Sequence, residues 1–119
     1  MNIDHAFSVS TGGRALILED GTYTVAGTGK STGNAWINSI LGWSTGAIID
    51  LVSNTSSSPS QLFYINSNNF IVQRLTIRNP QNLVNDPRLF SSQASTNDCH
   101  MDDVTIEVNG RSEHRTGIM

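Results

Sequence analysis

"NFIVQRLTIR" (residues 69–78) and "DCHMDDVTIE" (98–107) carry one pattern of apolar and polar positions. Set one above the other, Phe70 falls on Cys99, Val72 on Met101, Leu75 on Val104, Thr76 on Thr105 and Ile77 on Ile106, an offset of 29 residues. Upstream, "QLF" (61–63) falls on "RLF" (88–90) at an offset of 27. Within each copy the pattern alternates with the period of a strand. Phe70 and Val72 point one way and Ile71 the other. Gln73 and Arg74 break the alternation, and Leu75 and Ile77 resume it with Thr76 outward. The stretch therefore describes two short strands joined at a bend, both facing one core.

A period near 29 with three short strands per repeat is one coil of a parallel β-helix. Each coil buries its inward residues against coils about 4.8 Å above and below. The other apolar runs fit this pattern: "ALIL" (15–18), "TYTV" (22–25), "AIIDLV" (47–52), "LFYI" (62–65) and "RLF" (88–90), separated by connectors such as "SNTSSSPSQ" and "NSNN". Ser, Thr, Asn and Gly fill 48 of 119 positions, which favours turns and strands over long helices. The expected fold class is all-β: a short right-handed parallel β-helix of three to four coils with a small N-terminal helical cap. One domain or fragment is expected over 1–119, with a cap at 1–13, coils over 14–119 and a projecting Gly/Trp loop at 27–46.

Net charge is −3, and the seven Lys and Arg residues are scattered, so no basic stripe offers itself to nucleic acid. No apolar run approaches the roughly 18 residues a membrane-spanning helix needs, so no membrane partner is expected. The single cysteine, Cys99, excludes an internal disulfide and is expected as a core thiol.

The stretch "GGRALILEDGTYTV" (12–25), preceded by Asp4, Ala6 and Phe7, resembles the opening of pectin-lyase-like right-handed β-helices. Gly12, Gly13, Leu16, Leu18, Gly21, Thr22, Tyr23 and Val25 carry the resemblance. "NFIVQRLTIRN" (69–79) resembles an interior coil of that fold, and "RTGIM" (115–119) resembles the start of another. The Ser/Asn-rich, lysine-poor composition looks most like the bacteriophage tailspike and tail-fibre branch. That resemblance implies a helix capping the core, a tight turn at Gly21 and a homotrimer. It also implies cell-surface polysaccharide as partner, and a virion or extracellular location. A chain ending in "RTGIM" without a polar cap would expose a layer of unpaired backbone groups. It is therefore expected to be a fragment, or a subunit whose ends are covered by partners.

Several residues are candidates for chemistry. Asp102 and Asp103, with His100 beside them, could do acid/base work on a glycosidic bond, which would make the chain the N-terminal part of a polysaccharide lyase or glycosidase. The same oxygens could take Ca²⁺; no other cofactor and no His/Cys metal site is expected. The repeat offers a structural account instead, with Arg74 falling on Asp103 and Arg78 on Glu107 as opposite charges on neighbouring coils. Trp36 and Trp43 could stack on sugar rings, with Arg74 and Arg78 completing a carbohydrate-binding set. "AGTGKST" (26–32) suggests a phosphate-binding loop at Gly27–Ser31, yet Thr24 stands where the first glycine belongs and the following segment is a poor helix.

Overall fold

The computed structural model describes residues 14–25, 30–31, 37–52, 61–65, 68–80, 88–92, 98–108 and 111–118. They form ten strands: β1 (Arg14–Leu18), β2 (Gly21–Thr24), β3 (Lys30–Ser31), β4 (Ile37–Gly42), β5 (Ala47–Asp50), β6 (Gln61–Ile65), β7 (Ile71–Arg78), β8 (Arg88–Ser92), β9 (His100–Val108) and β10 (Arg111–Ile118). The strands are mostly parallel and make a nearly closed, barrel-like sheet, with almost no helix among the described residues. The expected cap at 1–13 lies outside the described residues, as does Trp36.

The pairings fall into three ladders, each in chain order. β1 pairs β4, β4 pairs the first half of β7, and β7 pairs β9. β2 pairs β5, β5 pairs the second half of β7, and β7 again pairs β9. β3 pairs β6, and β6 pairs β8. The two repeat offsets are the actual registers. Val72 stands opposite Met101, Leu75 opposite Val104, and Phe63 opposite Phe90, whose rings stack at 5.6 Å.

Alternation decides what is buried. Ile40, Val72, Ile49, Ile77, Phe70 and Val104 are fully buried, Cys99 is buried with them, and Met101 and Ile106 pack against that core. Ile71 and His100, one position out of phase, are exposed. The bends fall where the alternation breaks. Arg74 (φ 51°) and Asp103 (φ 54°) are left-handed residues at matching places in β7 and β9, as are Asn69 (φ 59°) and Asp98 (φ 58°) just before those strands. A single left-handed residue turns the strand onto a new face without ending it. At Gly21 (φ 148°) only glycine is unstrained, and the Tyr23 hydroxyl closes that turn by donating to the Glu19 carbonyl at 3.0 Å.

Two expectations are corrected. Segment 27–46 was expected to project as a loop, but it carries β3 and β4, and β4 lies between β1 and β7. Ile40 explains why: it continues the inward row of Leu16 and Val72. The end of the chain does not begin another coil. β10 folds back antiparallel along β9, from Arg111 opposite Val108 to Ile118 opposite His100, and pairs its edge. Asn109-Gly110 between those strands is a strong hairpin signal.

Candidate functional site

The corner between the first two ladders changes along the chain. In β7 and β9 it is the single residue Arg74 or Asp103. Between β4 and β5 it widens to Trp43–Gly46. Gly42 enters this corner against the backbone of Arg74, where a Cβ would collide with the Arg74 carbonyl oxygen. The loop is pinned from below. Trp43 N–H donates to the Leu18 carbonyl at 2.8 Å, and the Gly46 carbonyl accepts from Gly21 N–H at 3.0 Å. Asp20 Oδ1 accepts from the Ser44 hydroxyl and from Gly46 N–H. Held this way, the loop leaves the Trp43 side chain 70% exposed.

Beside it is a hollow of about 170 Å³ lined by Thr45, Arg74, Leu75, Thr76, Asp103 and Thr105. Thr76 and Thr105 are register partners. Three threonines, an arginine and an aspartate thus line one small space, with the exposed indole on the loop that supplies Thr45. The Arg74 guanidinium has no hydrogen-bond or ion-pair partner among the described residues.

A second polar cluster lies at the far end of the second ladder. Buried Asp50 accepts from Asn79 Nδ2 at 2.8 Å and from Val52 N–H at 2.9 Å. Arg78 donates through Nε to Glu107 at 3.0 Å and places a second nitrogen 3.9 Å from Asp50. Asn79, left-handed at φ 58°, sends its own N–H to the Glu107 carbonyl at 3.0 Å. Apart from the local Val52–Asp50 bond, the arms of this cluster join neighbouring strands, so its work is to hold register.

Comparison with protein families, with characterised proteins and with solved structures finds no match to this chain. The site must therefore be argued from its own chemistry.

The sequence-derived candidates separate in space. Trp43 and Arg74 belong to the corner with the hollow, whereas Arg78 is tied into the register cluster. His100 and Asp102 share the exposed outer face of β9, where Asp102 accepts from Gln73 Nε2 at 2.9 Å. Asp103 is the bend residue itself and lines the hollow. The proposed acid/base trio is thus split between two faces by the left-handed turn. Lys30 and Ser31 form β3 and pair with Phe63 and Tyr64; a phosphate-binding loop would place them at the start of a helix. Among the described residues no group of three or more His, Cys, Asp or Glu side chains is placed to hold a metal ion. Sequence reasoning missed Thr45, Asp20 and Asn79. For Asn79 the signal was present, since it follows Asp50 by the same 29 residues as the visible repeat.

Proposed function

We propose that this chain is a rigid adhesive module: a short right-handed parallel β-helix of the tailspike or tail-fibre kind that meets cell-surface polysaccharide at the virion surface or outside the cell. Two observations support the winding. Each ladder runs in chain order, and every pairing within the three ladders is parallel. Successive passes of one wound chain produce that order. The single observation that carries the binding role is the corner itself. An indole left 70% exposed stands on a firmly bonded loop beside a hollow lined by hydroxyls, a guanidinium and a carboxylate. Indoles stack on the apolar faces of sugar rings, and such polar groups exchange hydrogen bonds with sugar hydroxyls.

The same reading accounts for three apolar residues on an outer face that also carries Ser39, Gln73, His100 and Asp102. Ile17 and Ile71 are exposed, Leu41 stands opposite Ile17, and all three lie on the first ladder. A homotrimer would cover that face. The test has two parts. Light scattering on the purified chain is expected to give three times the monomer mass. Retention on immobilised bacterial surface polysaccharides is expected for at least one of them and is expected to weaken in Trp43→Ala. A chain that is retained by none of them is not an adhesin of this kind.

A further inference from the structure

We infer that the corner hollow takes one sugar ring, a branch or chain end, and not a run of polysaccharide backbone. This inference rests on the adhesive reading and narrows it. The hollow's volume, about 170 Å³, is below the roughly 300–1,000 Å³ of pockets that take drug-sized ligands. Its hydroxyl row is also short. Along the outer positions of the second ladder the residues in register are Thr22, Ile48, Thr76 and Thr105. Ile48 interrupts the hydroxyls, so a glycan lying along the ladder would meet two threonines and then an apolar side chain. The polar residues instead gather around one small hollow. Thr76 and Thr105 supply adjacent hydroxyls from neighbouring strands, and Thr45 adds a third from the widened corner. Arg74 offers donors that no described residue uses, and Asp103 also lines the hollow. Leu75, buried below, gives the hollow an apolar floor. That arrangement suits the ring of one pyranose, with hydroxyls at its rim and an apolar face.

The experiment uses the full chain, a polysaccharide that retains it, and methyl pyranosides of neutral hexoses, N-acetylhexosamines and hexuronic acids as probes. One methyl pyranoside is expected to compete fully with the polysaccharide. Its Kd should change little when the same residue is presented on longer fragments. Trp43→Ala, Arg74→Asn and Thr76→Val are each expected to weaken it about tenfold, the scale of one lost polar or stacking contact. Asparagine is chosen at Arg74 because it tolerates the left-handed backbone there. Circular dichroism must be unchanged, and a variant that unfolds is replaced by Thr105→Val, on which the same expectation rests. Affinity that climbs steadily with fragment length, or retention unaffected by these variants, overturns the one-ring site and leaves the adhesive reading standing. Absence of retention by every polysaccharide overturns both.

Discussion

Arg74 and Arg78 sit four residues apart on one strand, and in the repeat each falls on an acid of the next pass. The structure uses them differently. Arg78 lies in regular strand, half-buried, and joins Glu107 with Asp50 nearby. Arg74 lies on a left-handed bend, where its side chain leaves the ladder and opens onto the hollow. Charge pattern alone treats the two as equivalent rungs. Backbone conformation separates them, because a rung requires both side chains to leave the sheet in parallel. A corner does not impose this, so corners can carry binding groups without disturbing the ladders.

The largest expected effect comes from closing the corner itself. Gly42→Ala would drive a methyl group into the Arg74 carbonyl, and a cost of about 3 kcal/mol or more is expected, visible as a large drop in the denaturation midpoint. A variant as stable as the parent would mean that the two corners are not packed together. Next, Asp50→Ala strips the register cluster of its buried acceptor and leaves the Asn79 amide and Val52 N–H without it. A loss of about 2 kcal/mol is expected in urea titration. Arg78→Ala is expected to cost about 0.5–1 kcal/mol, less at high salt because the pair with Glu107 is partly exposed. Arg74→Asn should change stability by no more than about 0.5 kcal/mol, since it removes no described contact. If Arg74→Asn costs as much as Arg78→Ala, the two arginines are equivalent rungs after all and the comparison fails.

The edge pairing by β10 can be tested in the same way. The double variant Glu113→Pro, His114→Pro removes backbone donors at two consecutive positions of the strand, so at least one that faces β9 is lost. Exposing the β9 edge is expected to raise concentration-dependent self-association in light scattering. Unchanged mass across concentrations would show that β10 is not needed to protect that edge.

Much of the ladder arrangement was legible beforehand. The 29-residue offset placed Val72 on Met101 and Leu75 on Val104, and both are true register partners. It also located the bend at Arg74 and the buried thiol of Cys99. The segment 27–46 was misread because its glycines and asparagines suggested a loop. Ile40 is one apolar residue whose partners, Leu16 and Val72, lie far away in sequence. The direction of "RTGIM" was misread because short alternating stretches suit parallel and antiparallel neighbours equally.

Alternation by itself determined which residues of β7 and β9 face the core, because strand side chains must leave opposite faces in turn. Only the tertiary structure decided that Thr45, Arg74, Thr76, Asp103 and Thr105 share one hollow. Their meeting depends on how three passes of the chain turn the same corner, and the width of a corner is set by packing between passes, such as Gly42 against Arg74, which no local pattern encodes.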